Sequence, residues 1–462
     1  MKISFHGADR GVTGSCHMVE CRNHRVLVDC GLYQGGREIE EENAEAFGFD
    51  PAGIDAVLLT HAHLDHCGRL PLLAKRGFRG EIVCTAPTRE LARLVMLDAA
   101  HLQEEEARHR ARRAERQGRQ QEVIGPLYSI LDALNIQDSF GRVATYGAPL
   151  QIAPGFRATF LDAGHILGSA SVLLELEEGG AHRRVLFSGD LGNSGRPLLR
   201  DPTPAPSVDV VILETTYGDR LHRPLAPSVE ELYSAIADTF DRGGNVVIPT
   251  FALERAQELL YYVRAGIEQR SLPRTMLVFL DSPMAISATA IFERHREYYD
   301  QRTAELFKEG RDPFGVPGLH FTREAAESMA INRIVGGAVI MAGSGMCTGG
   351  RVRHHLRHNL GRAHCSVVFV GFAAQGTLAR RIIDGAGTVR IFNEEIAVQA
   401  RIYTINGFSA HADQAELLGW HAGTRAPRTF LVHGDESAMR AFAQRLTGTR
   451  VEMPLLHQQF DL

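Results

Sequence analysis

Three histidines and an aspartate are crowded into one short stretch, LLTHAHLDHCG at residues 58–68. They directly follow the apolar run AVLL, which predicts a buried strand. His61 and His63 have an i, i+2 spacing that lets both rings converge, and Asp65 and His66 then open a predicted helix. Because buried polar groups without partners cost several kcal/mol, a solvated loop explains this density poorly. The stretch therefore predicts a metal-binding turn between a strand and a helix.

The number of candidate ligands indicates more than one ion. Zn²⁺ takes about four nitrogen, oxygen or sulfur ligands, and a catalytic site keeps one position for water. The cluster exceeds what one open site uses and fits two ions placed side by side. Further candidates follow other predicted strands: His165 in AGHILGS, Asp190 in LFSGDLG and His433 in FLVHGDE. Each alone is more often a hydrogen-bonded loop residue, but together they complete a dinuclear site in which Asp190 is free to bridge. Asp29 in VLVDCG is either a group that orients a ligand histidine or a strand-end cap.

Composition narrows the class of protein. A chain of 462 residues should form two or more domains. Its seven cysteines are scattered without a CxxC pair, which argues against a disulfide framework and a zinc ribbon. No apolar run approaches the roughly 20 residues that span a bilayer, and the N-terminus lacks a signal-peptide pattern, so we expect a cytoplasmic protein without a membrane partner. The net charge of −5 does not indicate a nucleic-acid binder. Net charge does not report how charges are distributed, however, so it does not exclude a local basic groove.

The order of predicted strands and helices divides the chain. Residues 1–200 alternate short apolar strands with Gly/Pro turns, which suggests two packed sheets covered by helices. From residue 219 onward, continuous apolar strands such as NVVIPTF and TMLVFLDS alternate with helices, which indicates a parallel α/β unit. From residue 388, alternating strands return in TVRIF and ARIYTI. We therefore predict an α/β domain inserted into a two-sheet domain.

A Gly/Ser-rich turn, MAGSGMCTGG at residues 341–350, lies between the predicted strand GAVI and a helix. Such a turn offers backbone N–H groups to an anion, although a plain tight turn is the commoner explanation. The following segment, GGRVRHHLRHNLGR, is the best basic patch of the chain. We leave open whether it contacts an RNA backbone.

The motifs in chain order resemble those of one hydrolase family. VDCG, THAHLDH, GHILGS and SGD look like the motifs of a metallo-β-lactamase-fold hydrolase, and LETTYGD, GFSAHAD and LVHG resemble the three extra motifs of its β-CASP nucleases. The resemblance covers essentially the whole chain. It implies an α/β (α+β) fold: an αββα metallo-β-lactamase sandwich formed by residues 1–218 and 388–462, with a parallel-sheet α/β β-CASP domain inserted at residues 219–387.

The resemblance also implies a role for each candidate residue. The metal ligands would be two sets of three with a bridge: His61, His63 and His165 on one Zn²⁺, Asp65, His66 and His433 on the other, and Asp190 between them. His411 would be the general acid for the leaving ribose 3′-oxygen, held protonated by Glu214, and Asp65 counts as catalytic as well as a ligand. Without the resemblance, Glu214 is more simply a capping or ion-pair residue. In the inserted domain, Ser344, Gly345 and Arg351 would contact RNA phosphate.

The function that the resemblance implies is a zinc-dependent ribonuclease with two Zn²⁺ per chain, hydrolysing RNA phosphodiester bonds in RNA processing or decay. The chain resembles bacterial enzymes related to the pre-mRNA 3′-end processing endonuclease, without the KH domain of archaeal relatives. DNA-repair members tend to have a small apolar residue where this chain has His433. We expect mainly endonucleolytic cleavage and leave 5′-exonucleolytic cleavage open. The alternatives are a DNA nuclease, a small-molecule metallo-hydrolase and a non-catalytic RNA-processing scaffold. RNA is the expected partner, and a homodimer is left open.

Overall fold

The computed structural model describes residues 1–35, 41–116, 125–371, 373–374 and 376–462. The chain divides into two compact units. The first unit comprises Met1–Gly195, Asp201–Leu221 and His411–Leu462, and the second comprises Arg196–Arg200 and His222–Ala410.

The strands and helices are short for the most part. The strands are β1 Lys2–Phe5, β2 His17–Cys21, β3 His24–Val28, β4 Ala56–Leu58, β5 Glu81–Thr85, β6 Phe140–Ala144, β7 Pro149–Ala153, β8 Phe156–Asp162, β9 Ala170–Glu178, β10 Ala181–Phe187, β11 Val210–Glu214, β12 Val246–Pro249, β13 Leu277–Asp281, β14 Leu319–Phe321, β15 Ala338–Ala342, β16 Ser366–Phe369, β17 Thr388–Ile391, β18 Glu394–Ala397, β19 Arg401–Thr404, β20 Arg428–Val432, β21 Arg450–Glu452 and β22 Gln459–Asp461. The α-helices are α1 Leu64–Cys67, α2 Leu70–Lys75, α3 Ala86–Arg116, α4 Ile130–Asn135, α5 Leu225–Asp241, α6 Arg255–Glu268, α7 Pro283–Arg294, α8 Gln301–Lys308, α9 Ala325–Ile331, α10 Val352–Asn359, α11 Leu378–Ile383, α12 Gln414–Thr424 and α13 Glu436–Ala443.

The first unit is built on two mixed sheets. Within the described ranges, each has seven strands, in the orders β22-β1-β2-β3-β4-β5-β6 and β21-β20-β11-β10-β9-β8-β7. Their facing sides share one buried core, to which the first sheet contributes Phe5 and Leu58 and the second contributes Phe160, Val185 and Phe430. Removing each such side chain from water contributes about 1.5–3 kcal/mol. The two sheets are therefore held together mainly by apolar burial.

Helices cover the outer faces of these sheets. Leu186 and Leu431 point away from the shared core, because side chains alternate along a strand, and they pack with Leu417 of α12 and Phe442 of α13. On the other side, α3 packs against β5 and buries Leu91. The layers of the first unit are thus helix, sheet, sheet and helix.

The second unit contains a parallel sheet in the order β14-β13-β15-β12-β16-β19. Neighbouring strands all pair in parallel, which places their carboxyl ends at one edge. The central strand β12, VVIP, is buried at every position, as expected for a sheet with both faces covered. On one face, Val247 and Ile340 pack with Leu356 of α10 and Ile382 of α11.

The predicted fold class, a two-sheet α/β sandwich with a parallel-sheet α/β domain inserted, is confirmed. The two units divide at residues 221/222 and 410/411. The segments TVRIF and ARIYTI lie in the second unit, where β17 pairs with β18 and β19 pairs with β16. The predicted domain limits at residues 219 and 388 stay a prediction.

Candidate metal centre

Polar residues that follow four strands of the first unit come together at one edge of its sheets. His61 and His63 follow β4, His165 follows β8, Asp190 follows β10 and His433 follows β20. β10, β11 and β20 are parallel, and β8 has the same direction as β10 because both are antiparallel to β9. The strand ends therefore meet, and all the predicted ligands lie in one cluster.

The first group of ligand atoms belongs to His61, His63, His165 and Asp190. His61 Nε2 lies 3.1 Å from His63 Nδ1, and His165 Nε2 lies 3.2 Å from the same His63 nitrogen. Asp190 Oδ2 is 3.4 Å from His61 Nε2 and 3.6 Å from His165 Nε2. These potential ligand atoms all lie within 4.8 Å of one another.

The second group belongs to Asp65, His66 and His433. The Nε2 atoms of His66 and His433 are 3.1 Å apart, and Asp65 Oδ2 is 3.6 Å from His433 Nε2. Asp190 Oδ1 lies 3.4 Å from His66 Nε2, so one oxygen of this carboxylate faces each group. That oxygen is buried and accepts no hydrogen bond from any residue in the described part of the chain.

Asp29 and Thr60 fix the ring orientation of two candidate ligands. His66 Nδ1 donates to Asp29 Oδ2 at 2.7 Å, and the Thr60 hydroxyl donates to the same oxygen at 2.8 Å. The Thr60 oxygen lies 3.1 Å from His61 Nδ1 and accepts its proton. Both histidines therefore have the proton on Nδ1 and direct the lone pair of Nε2 into the cluster. This contact supports the predicted orienting role of Asp29.

Thr216 has the same relation to His433. Its Oγ1 donates to the His433 carbonyl at 3.1 Å and lies 3.1 Å from His433 Nδ1, which leaves Nε2 as the ligand nitrogen. His433 has a φ of 51°, which non-glycine residues seldom adopt, so its surroundings hold the backbone in place. Sequence reasoning missed both Thr60 and Thr216. Thr60 is the first residue of the motif THAHLDH, and Thr216 lies inside the motif LETTYGD. Their place in these motifs is the sequence signal that could have identified them.

The turn that contains Asp65 and His66 is held by backbone groups just before β2 and just after β3. Ser15 N–H donates to the Asp65 carbonyl and Cys30 N–H to the His66 carbonyl, both at 2.8 Å. A Cβ at Gly31 would lie 1.5 Å from the Asp65 carbonyl oxygen. The glycine of VDCG is therefore required for this close approach.

His411 and Glu214 lie beside Asp190. His411 Nδ1 is 3.3 and 3.4 Å from the two Glu214 carboxylate oxygens and 3.9 Å from Asp190 Oδ2. Glu214 ends β11, is fully buried, and accepts the Leu191 N–H at 2.6 Å. Its carboxylate is thus fixed facing Nδ1 of His411. Asp190, Glu214 and His411 form a third set of convergent ligand atoms, so geometry alone leaves His411 open to binding a cation.

Burial and charge set the protonation of these histidines. Burial lowers the pKa of His63 to about 4 and holds that of His61 well below its ordinary value. The neutral ring is the form that binds metal. Burial also lowers the pKa of His411, but the charges of Glu214 and Asp190 outweigh it and raise the pKa to about 9. These carboxylates therefore favour the protonated form of the His411 ring.

The residues present fit a metal ion. Ring nitrogens of five histidines meet at 3.1–3.2 Å, and in their neutral, metal-binding form the Nε2 atoms of His66 and His433 face each other with lone pairs, which is repulsive unless a cation lies between them. The buried Asp190 oxygen without a donor from the described residues points to the same conclusion. Imidazole and carboxylate donors suit zinc. The cluster is therefore a candidate metal-binding site.

Ser344, Gly345 and Arg351 lie in the second unit, on the turn between β15 and α10. Arg351 Nη1 donates to Asp281 Oδ1 at 2.7 Å and to the Thr322 carbonyl at 3.0 Å. Part of its hydrogen-bonding capacity is thus used inside the unit. Contact of these three residues with RNA phosphate stays a prediction.

Three family models match the chain. The model of the metallo-beta-lactamase superfamily covers residues 9–250, that of the Beta-Casp domain covers 256–382, and that of a Zn-dependent metallo-hydrolase RNA specificity domain covers 395–454. Together they follow the order of the motifs along the sequence.

Curated relatives are similar along nearly the whole chain. Ribonuclease TTHA0252 of Thermus thermophilus is 40% identical over 448 residues, which cover 96% of each chain. Transcription termination factor FttA of Methanocaldococcus jannaschii is 32% identical over 96% of this chain and 68% of its own length. An RNase J-like protein of the same organism is 30% identical over 97% of this chain and 96% of its own.

A solved structure shares the fold. A protein of unknown function from Enterococcus faecalis V583 has a TM-score of 0.55 at 11% identity and covers 100% of this chain and 99% of its own. No helix in the described ranges is long and apolar enough to cross a membrane. The chain is a metal-dependent hydrolase acting on nucleic acid, and it belongs to the β-CASP group of the metallo-β-lactamase superfamily.

Proposed function

We propose that this chain is a zinc-dependent ribonuclease that binds two Zn²⁺ ions and hydrolyses RNA phosphodiester bonds, mainly as an endonuclease. The observation that carries the proposal is the position of Asp190: one carboxylate oxygen faces His61 and His165, and the other faces His66. Such a bridge between two groups of ligands suits a pair of ions better than a single one. The names of the relatives, a ribonuclease and an RNase J-like protein, support RNA as the substrate.

Each ion would have its own set of ligands. The proposed sets are His61, His63 and His165 for one ion and Asp65, His66 and His433 for the other, with Asp190 shared. A pair of bound zinc ions supplies Lewis acidity that makes water a nucleophile near neutral pH and offsets negative charge at the phosphate. The protein holds the ligand rings in position through Asp29, Thr60 and Thr216.

His411 is the proposed general acid. Its Nδ1 faces Glu214, so Nε2 is the nitrogen that transfers a proton to the leaving ribose 3′-oxygen. Glu214 keeps the ring oriented and protonated, and a positioned histidine of this kind contributes about 10²–10⁴-fold to the rate. Asp65 acts beside it as a ligand that is also required for catalysis. Ser344, Gly345 and Arg351 are the proposed phosphate contacts in the second unit.

The alternatives predict different chemistry from the same cluster. A DNA nuclease would share the metal centre, and a small-molecule hydrolase would need neither His411 nor the second unit. A scaffold without activity is disfavoured because all the ligand positions are filled. A cytoplasmic location, where RNA is available, and a homodimer are further parts of the proposal. Size-exclusion chromatography with light scattering tests the dimer.

Incubation with end-labelled nucleic acid tests the proposed activity. Single-stranded RNA labelled at either the 5′ or the 3′ end, and DNA of matched sequence, are incubated with the protein with and without a zinc chelator. We expect internal fragments from RNA, little cleavage of DNA, and loss of both with chelator. A well-folded preparation that contains no zinc, or that cleaves DNA and spares RNA, would contradict the proposal. Mononucleotides released from the 5′ end would show that exonucleolytic cleavage dominates.

A further inference from the structure

The carboxyl edge of the parallel sheet in the second unit contains a small cleft. It is lined by residues at the ends of three neighbouring strands: Pro249 ends β12 and Phe251 follows it, Gly345 follows β15, and Phe369 ends β16 and Gly371 follows it. In open parallel sheets, ligands bind beyond the carboxyl ends of strands, where successive connections leave in opposite directions. β12 and its neighbour β16 form such a pair, because the connection from β12 leaves toward β13 on one side and the connection from β16 leaves toward β19 on the other. The cleft therefore lies at a position suited to a ligand.

Phe251 is the exposed residue of this cleft. Its side chain is 48% exposed, whereas the neighbouring Phe369 is buried. A Cβ at Gly345 would lie 2.8 Å from Phe251 Cε2 and 3.0 Å from Cδ2, so the backbone of the turn packs directly against the ring. The turn thereby restricts the ring while part of it stays open to solvent. A restricted, half-exposed aromatic ring is a surface for a planar apolar group.

Ser344 directly precedes Gly345, the residue whose backbone packs against this ring. The hydroxyl oxygen of Ser344 is buried and has no hydrogen-bond partner among the residues that the structure describes. A buried hydroxyl without a partner is costly, and a ligand oxygen that accepts its proton removes the cost. A ligand for this cleft therefore combines an oxygen acceptor with a planar apolar group. A nucleotide unit has both, in its phosphate and its base.

We propose that Phe251 is a stacking platform for one nucleobase of the RNA substrate, beside the turn at Ser344 and Gly345 that holds the adjoining phosphate. The inference rests on the proposed ribonuclease function and adds to it a position that binds a nucleobase. Stacking on an aromatic ring tolerates every base, since each has a π face. It requires an unpaired nucleotide, because a paired base is already stacked in its duplex. The site thus selects single-stranded RNA with little sequence preference.

Binding of a fluorescein-labelled single-stranded oligouridylate tests the platform. Anisotropy is measured in a His411→Ala background, so that the oligonucleotide is not cut during the titration. We expect Phe251→Ala to weaken binding about tenfold, within the range that base stacking contributes. Phe251→Tyr retains the ring and should bind within about twofold of the parent. Phe321→Ala is the matched control, because Phe321 is 44% exposed in the same unit but lies in a different strand, β14.

An oligomer with the same ribose-phosphate backbone and no bases gives a test that needs no substitution at Phe251. The protein with Phe251 intact should bind this abasic oligomer about tenfold more weakly than oligouridylate, and Phe251→Ala should bind both equally. Equal affinity of the intact protein for the two oligomers overturns the stacking proposal. If that protein with His411 restored still cuts RNA, the ribonuclease function stands. Failure to bind or cut any RNA overturns both.

Discussion

At the scale of single residues, His411 and Asp65 are expected to have separable roles within one cluster. We predict that His411→Ala keeps zinc and lowers RNA cleavage by about 10²–10⁴-fold, because it removes a proton donor and no proposed ligand. Asp65→Ala should lose zinc and cleavage together. The measurements are the zinc content per chain and the rate of cleavage of end-labelled RNA.

His101→Ala provides the control for that pair, because His101 lies exposed on α3, where it pairs with Glu105 one turn along the helix. It should keep both zinc and activity. Wild-type cleavage by His411→Ala would remove the general-acid assignment, and loss of zinc from the same variant would instead favour His411 as a ligand.

A second residue-scale prediction concerns acid stability. Burial and the nearby His457 lower the pKa of His6 to about 4, and its ring contacts Ser4 Oγ at 2.9 Å and His457 Nδ1 at 3.0 Å. Because the folded pKa lies below the unfolded value of 6.5, the unfolded chain binds the proton more readily as pH falls. The stabilising contribution is present above pH 6.5 and is lost between there and about pH 4.

We therefore expect the free energy of unfolding to fall by about 2 kcal/mol on account of His6 between pH 7 and pH 5. His6→Gln should remove this part of the pH dependence, whatever its effect at pH 7. Urea titrations of both proteins at the two pH values measure it. If the free energy of unfolding changed equally with pH in the wild-type protein and in His6→Gln, His6 would not be responsible for the loss of stability.

The candidate ligands could be predicted from sequence, but the groups that orient them could not. His165, Asp190 and His433 each follow an apolar strand, and strand ends of one sheet meet in space. Thr60 and Thr216 act through the direction of a hydroxyl hydrogen bond, which depends on the side-chain rotamer and on the approach of a residue distant in sequence. The periodicity of apolar residues in the sequence gives no information about the side-chain rotamer or about the approach of a distant residue.

At the scale of elements, Asp281 joins four segments of the second unit at the end of β13. Its Oδ2 accepts from Ser328 of α9 and His355 of α10 at 2.6 Å, and its Oδ1 accepts from Thr322 and Arg351 at 2.7 Å. The carboxylate is fully buried, and these contacts hold its pKa below the ordinary value against the effect of burial.

We predict that Asp281→Ala destabilises the second unit by about 3–5 kcal/mol, because it leaves the fully buried His355 and the half-buried Arg351 without their carboxylate. Urea unfolding followed by circular dichroism measures the change. Asp384→Ala is the control, since Asp384 forms an exposed pair with Arg380, one turn earlier in the chain. It should change stability by less than about 1 kcal/mol. Similar midpoints for the two variants would argue against a structural role for the Asp281 network.

The elements show why strand pairing was harder to predict than strands. Continuous apolar runs such as β12 and β15 were predicted as buried parallel strands and are confirmed as such. The segment ARIYTI was predicted as a strand of the sandwich, yet β19 forms the edge of the parallel sheet beside β16. Its mixture of apolar and polar residues fits an edge strand of the sandwich or of the parallel sheet, because an edge strand of either sheet is only partly buried. The partner of such a strand is decided by tertiary packing.

At the scale of the whole molecule, the chain has a single tryptophan, Trp420, and it lies in the first unit with its Nε1 donating to the Thr203 carbonyl at 3.0 Å. Tryptophan fluorescence therefore reports the unit that contains the metal centre. A bound ion stabilises the folded state by about 2.7 kcal/mol at a hundredfold excess over its Kd. We predict that a zinc chelator lowers the fluorescence-detected Tm by several degrees.

Asp65→Ala supplies the comparison for that measurement. It should begin at the lower Tm and show no further decrease with chelator. A fluorescence transition of the wild-type protein that does not move when zinc is removed would mean that the ions contribute little to the stability of the first unit.

The candidate metal centre uses residues from both sides of the second unit in the sequence. β20 lies between β11 and β21 and positions His433, whereas the other proposed ligands stand before residue 191. The first unit is built from segments that precede and follow the second unit, and β20 pairs with β11 across that division. The proposed set of seven ligands is therefore complete only when these distant segments of the chain have folded together.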